Sequence, residues 1–238
     1  MARRPPIANE AIADMMSLMA HDLRNPLAIA LTNLNYVRGL LGADAGDLDE
    51  ALGDAALACS SIERLVANLD VIGVAIASAA PAPSVVALRT LVAGAVSRIL
   101  PHALAASVGV ELEPDGESPL VRAHDELLGR AMDNLLANAV QYSRAGGLVR
   151  VRIEVDGRSA SVVLSDGGPV VPAEARDDVF AAEAQARAKQ RLETRYGRGL
   201  GLFCAAQAAA AAGGSVSAGQ GEQGSTLTLR APLAQPAG

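Results

Sequence analysis

Aromatic side chains are almost missing: among 238 residues there is no tryptophan, with two phenylalanines and three tyrosines. Proteins that hold single-stranded nucleic acid stack bases on aromatic platforms, so that class is disfavoured. An excess of positive charge is missing too, since 20 Lys and Arg against 26 Asp and Glu leave a net charge of −6. Such a chain is not built to coat DNA, where affinity rests on neutralised phosphates. Lysine is nearly absent, Lys189 being the single example, and we read this as compositional bias without functional content. Cys59 and Cys204 lie far apart and form no metal or redox spacing; a reduced, cytoplasmic protein is expected. Long apolar runs are lacking as well. The uncharged stretch 71–88 is split by Pro81 and Pro83, and the uncharged stretch 199–214 is short and carried by alanine and glycine. No signal-peptide core follows Arg3 and Arg4, so a soluble chain with no membrane segment is expected.

What is present suffices for a core, because 50% of the residues are hydrophobic. From Ile12 the apolar positions run Met16, Met19, Leu23, Leu27, Ala30, Leu34, Val37 and Leu41, alternating steps of three and four. Residues 42–46 break this helix. Asp47 with Glu50 reads as a capping box for a second helix carrying Leu48, Leu52, Ala55, Cys59, Ile62, Val66, Leu69 and Ile76. Two seamed helices joined by a short turn make an antiparallel hairpin whose wet side calls for a second copy, giving a four-helix bundle. On this reading Cys59 is a buried seam residue.

After Pro81 and Pro83 the pattern changes. Short strands are expected at 85–87, 108–112, 148–155, 160–164, 215–217 and 225–230, with helices at 91–104, 124–142 and after Gly201. Asp156-Gly157 reads as a hairpin turn. The chain is therefore multidomain: an all-α hairpin over residues 8–78, a linker at 79–84, and an α+β two-layer sandwich over 85–233.

His21 lies about 200° around the helix from Met19, so it points away from the bundle seam. Asp22 is adjacent, Asn25 is one turn on along the same face, and Pro26 removes a backbone hydrogen bond beside them. Neutral imidazole is a competent nucleophile toward phosphorus, and a neighbouring carboxylate can hold its tautomer and take its proton. The run from Met19 to Leu27 resembles the phosphoacceptor box of two-component sensor histidine kinases. His124 lacks the proline and reads as a helix start, and nothing around His102 suggests chemistry.

Three further segments follow in the order of that family's ATP-binding domain. Residues 133–143 resemble its N box, Ser165-Asp166-Gly167-Gly168-Pro169 its first glycine box, and Tyr196-Gly197-Arg198-Gly199-Leu200-Gly201-Leu202 its second. The resemblance implies the ATPase fold shared with DNA gyrase. It also implies ATP held by Asn134, Asn138, Tyr142, Asp166, Gly168, Gly197, Arg198, Gly199, Leu200, Gly201 and Leu202, with Mg2+ on Asn138. The residue types suit those roles. Asn134 and Asn138 are one turn apart, and Mg2+ takes few protein ligands beside phosphate and water. Asp166 can accept from an adenine amino group where Gly168 lets backbone approach the ring. Glycines opening a helix leave free N–H groups for phosphate. Arg187, Arg191 and Arg195 fall in the intervening lid, and Phe180 fits the family's phenylalanine before it.

Two positions depart from the family's pattern. Val170 replaces a glycine of the first box, where a β-branched side chain can crowd the adenine or forbid a special backbone angle. Gln141 replaces a Lys or Arg and removes a charge beside the phosphates. The leading expectation is a histidine kinase that phosphorylates His21 and passes the group to an Asp of a response regulator, working as a homodimer. Asn25 would orient water for the reverse dephosphorylation. Two other readings stand beside it: a hydrolysing ATPase of the gyrase type, disfavoured because Asn134 occupies the place of its general base, and a non-catalytic dimeric phosphotransfer adaptor or scaffold.

Overall fold

The computed structural model describes residues 23, 26–37, 45–77, 82–114, 118–176, 178–181, 200–221 and 224–234. The first helix, α1, is described over 26–37, and α2 spans Ala45–Ala77. At 1.5 Å per residue, α2 is about 50 Å long. It begins two residues before the expected cap, Asp47. Strand β1 (Ser84–Ala87) runs directly into α3 (Leu88–Ala105), followed by β2 (Gly109–Leu112), β3 (Leu120–Ala123) and α4 (Asp125–Tyr142). The long hairpin of β4 (Leu148–Asp156) and β5 (Ser159–Asp166) comes next, then α5 (Gly201–Ala211), β6 (Ser215–Gln220) and β7 (Ser225–Pro232). Gly157, at φ +57, supplies the left-handed residue between β4 and β5.

The main sheet has the order β2-β4-β5-β7-β6, parallel between β2 and β4 and antiparallel elsewhere, while β1 and β3 form a separate two-stranded ribbon. Alternation decides which face is covered. In β5 the buried residues are Ala160, Val162, Leu164 and Asp166, and β7 answers with Ser225, Leu227, Leu229 and Ala231. That face packs on α4, which lies between α3 and α5. Leu128, Met132, Leu135 and Leu136 fill the gap from the helix side. The two-period alternation therefore delivers Asp166, the last residue of β5, to the helix-covered face, where an exposed carboxylate would not otherwise go.

Helix α4 starts as its sequence suggests. His124 is the N-cap, its Nδ1 accepting from Leu127 N–H at 3.5 Å, and Asp125 and Glu126 occupy the first turn where the helix dipole favours negative charge. Strand β3 was not expected from the sequence. It has four residues, one of them Arg122, and it pairs with β1 more than thirty residues earlier, so no local turn announces it.

Helix α2 shows how its two faces are divided within one chain. Its buried stripe within the chain is Ala51, Ala55, Ala58, Leu65, Asn68, Val71 and Ile72, whereas Leu48, Leu52, Cys59 and Val66 are exposed. Cys59 is exposed on the single chain, on the face where the expected bundle would place a second copy. The physical reason is that α2 uses two faces: one packs on the chain's own helices, and the heptad face carrying Cys59 is left outward. Val71 and Ile72 join the same core as α4 and α5. Among the described residues no helix is long and apolar enough to cross a membrane.

Candidate nucleotide site

The site is built along one stripe of α4. Asn134, Asn138 and Tyr142 follow at i, i+4 and i+8, so their side chains line up on one helix face. At the C-terminal end of this stripe lies the turn after β5. Asp166 is 4% exposed, and its Oδ1 accepts from the Gly168 backbone N–H at 2.8 Å. Burial pushes the Asp166 carboxyl above its ordinary range, and the Gly168 hydrogen bond opposes that rise. A Cβ on Gly168 would lie 2.7 Å from Tyr142 O and 2.6 Å from Asp166 Oδ1, so the turn is pressed against the end of α4. Only glycine allows that approach.

At the other end, α5 begins at Gly201 beside Asn134. A Cβ on Gly201 would meet Asn134 Oδ1 at 3.6 Å, an ordinary contact. The N-cap of α5 is Leu200, which makes no side-chain cap hydrogen bond, and the first intrahelical bond runs from Cys204 N–H to Leu200 O at 2.7 Å. The N–H groups of Gly201, Leu202 and Phe203 therefore precede the helical ladder, an arrangement suited to an anion. Leu200 and Leu202 are themselves buried core residues. Their side chains anchor the helix start, and only their backbone can face a ligand.

The remaining expected residues divide simply. His21, Asp22, Asn25, Gly197, Arg198, Gly199, Arg187, Arg191 and Arg195 lie outside the described residues. Phe180 closes a 3-10 turn, Asp178–Phe180, and is half-buried against the core. Val170 is exposed, and its φ is not positive, so it neither fills the space behind Asp166 nor strains the turn.

Three residues were missed from the sequence. Gly224 packs against the backbone of Asp166, Gly167 and Gly168, holding the turn from the sheet side. Its only signal was a glycine just before the alternating strand β7. Ser143, the C-cap of α4, is the described residue whose buried side-chain oxygen has no hydrogen-bond partner, and it directly follows Tyr142 at the Asp166 end. Asn68 of α2 is the third: its Nδ2 donates to Asn134 Oδ1 at 3.0 Å, and Asn134 Nδ2 donates back to Asn68 Oδ1 at 2.7 Å. A 4/3 spacing cannot reveal a polar pair 66 positions apart.

Around that pair α2, α3 and α4 enclose a cavity of about 210 Å³ lined by Arg64, Arg98, His102 and Asp133 among others. Arg98 Nη2 meets Asp133 Oδ1 at 2.8 Å, and His102 Nε2 lies 3.2 Å from Ser60 Oγ. Burial lowers the His102 pKa, with Arg64 adding to the shift, and burial raises that of Asp133 against the pull of Arg98.

The family described as histidine kinase-, DNA gyrase B- and HSP90-like ATPase matches residues 123–235, the span that holds α4, the Asp166 turn, α5 and β7. The sensor protein CutS of Streptomyces coelicolor is 34% identical over 219 residues, covering 90% of this chain and 50% of that protein. That alignment takes in the helical hairpin as well as the ATPase domain. The chain is a sensor histidine kinase core. The signal transduction histidine-protein kinase/phosphatase MprB of Mycolicibacterium smegmatis is 31% identical over 177 residues, 73% of this kinase core and 35% of that protein. The structure of the histidine kinase AdeS of Acinetobacter baumannii superposes with a TM-score of 0.59 at 20% identity, covering 90% of this chain and 98% of that one. This likeness extends the shared fold to the helical part. The chain spans about half the length of CutS, and less of MprB.

Proposed function

We propose that this kinase core binds ATP with Mg2+ along the Asn134–Asn138–Tyr142 stripe, phosphorylates its own His21 and passes the phosphoryl group to an Asp of a response-regulator receiver domain. The observation that carries the reading is the joining of two different ends by one helix face. One end offers a buried carboxylate, Asp166, and an orphaned hydroxyl, Ser143, for a purine's polar edge. The other offers the start of α5, whose N-cap Leu200 makes no side-chain cap hydrogen bond, for phosphate. Among the described residues no group of three His, Cys, Asp or Glu could hold a metal alone. That fits Mg2+ arriving with the nucleotide, with Asn138 as its protein oxygen, to offset charge on the phosphates.

In the transfer, a neutral His21 ring nitrogen attacks the γ-phosphorus, the bond to the bridging oxygen breaks, and ADP leaves. Asp22 takes the ring proton. A receiver Asp carboxylate then attacks the same phosphorus, the P–N bond breaks, and Asp22 returns the proton, so that His21 leaves as neutral imidazole. Incubation with γ-labelled ATP and Mg2+ is expected to label the wild type and not His21→Ala; equal labelling of both would overturn the assignment.

We also place a second copy of the chain on the outward heptad face. Leu27, Leu31, Leu34, Leu48, Leu52 and Val66 are exposed on α1 and α2, more aliphatic surface than isolated side chains account for. Light scattering at micromolar concentration should give twice the chain mass, and a monomer mass would refute the pairing. Dephosphorylation of the regulator, through water oriented by Asn25, belongs to the same reading, as does a cytoplasmic setting.

A further inference from the structure

Helix α2 packs against the Asn134 end of the α4 stripe. Its seat runs from Ser60, beside His102, to Val71 and Ile72 in the core of the ATPase domain. At the centre, Asn68 and Asn134 are 4% and 3% exposed and exchange two hydrogen bonds. Asn134 Nδ2 also donates to Arg130 O at 3.0 Å, so both of its N–H donors are taken. The Asn68 carbonyl oxygen lies 4.0 Å from Cys204 Sγ on α5, which places α2 across the start of that helix too. The side chain expected to meet the phosphate end of a nucleotide is therefore fully occupied, by Asn68 of α2 and by the backbone of its own helix.

We propose that α2 is a latch on the ATP site: Asn68 holds Asn134, and a nucleoside triphosphate engages Asn134 only when α2 leaves its seat. This rests on the reading of the stripe as the ATP site. The two bound states exclude one another because one amide cannot donate to Asn68 and to a phosphate with the same N–H. Apparent affinity is then reduced by the fraction of molecules that are latched. By linkage, nucleotide loosens the seat by the same factor. Signals reaching α2 from the hairpin would set ATP occupancy without touching the site's own residues.

The latch is tested on the full chain with a non-hydrolysable ATP analogue and Mg2+ by calorimetry. Asn68→Ala removes both hydrogen bonds from the seat and leaves Asn134 unpaired there, so the variant should bind roughly tenfold tighter than wild type. Equal or weaker binding by the variant overturns the latch alone. Binding by neither protein overturns the ATP-site reading and the latch with it. A second measurement needs no variant: in wild type, adding the analogue should speed amide hydrogen exchange across 60–72. Unchanged or slower exchange there also overturns the latch.

Discussion

Asn138→Ala should lose Mg2+-ATP-dependent labelling of His21 by about a hundredfold or more, the usual scale for removing one group aimed at developing charge. Asn138 is half-buried in the middle of α4, between Asn134 and Tyr142. Alanine is the better helix former, so the fold should survive the change and a circular dichroism melt should stay close to wild type. The loss follows from how little else is available. The described residues around the stripe offer no carboxylate cluster for a cation. Asp166 is at the far end, buried and bonded to Gly168. Phosphoryl transfer depends on positioning and charge neutralisation more than on covalent chemistry by the protein, so losing the amide oxygen proposed to hold the metal on α4 should remove a major contribution. Labelling within about threefold of wild type would show that another group holds the metal.

The expectations that held were those written in local chemistry. The stripe on α4 follows from a 3.6-residue period, and the cap at His124 from a polar residue before two acids. The Asp166 turn follows from two glycines at the end of an alternating strand. What stayed hidden was set by partners distant in sequence. The periodicity of α2 was legible, but not the division of its faces, because alanines at 51 and 58 look too small to define a second buried stripe. They are buried because small side chains let helices approach closely, while the larger Leu52 and Val66 are left for the outer face. Strand β3 was invisible because its partner β1 lies across α3 and β2. The Asn68–Asn134 pair was invisible because hydrophobic patterning treats a buried amide as a surface residue until its partner is known. Of the two concerns over Val170, the backbone one is answered, since its φ is not positive and the turn is not strained there.

Gly224→Ala should damage the site from behind, although Gly224 touches no nucleotide-facing side chain. A Cβ there would lie 2.9 Å from Gly168 O and 3.1 Å from Gly167 C, and closer still to Asp166 O. All three are backbone atoms of the one turn that positions the buried carboxylate, so no side chain can swing aside. Either the β6–β7 hairpin or the turn must move. Overpacking of this kind costs about 1–3 kcal/mol. That corresponds to a fall in Tm of roughly 2–12 °C for a chain of this size. Moving the turn also separates Asp166 from Gly168 N–H and from the end of α4, so analogue binding should weaken by about tenfold or more. Gly129→Ala is the control. It lies in the same α4 as the stripe, a Cβ there meets nothing within 4 Å, and alanine should stabilise the helix by about 0.5–1 kcal/mol while binding is kept. If Gly224→Ala binds the analogue as wild type does, the turn is not held by the hairpin behind it, and Asp166 is positioned by α4 alone.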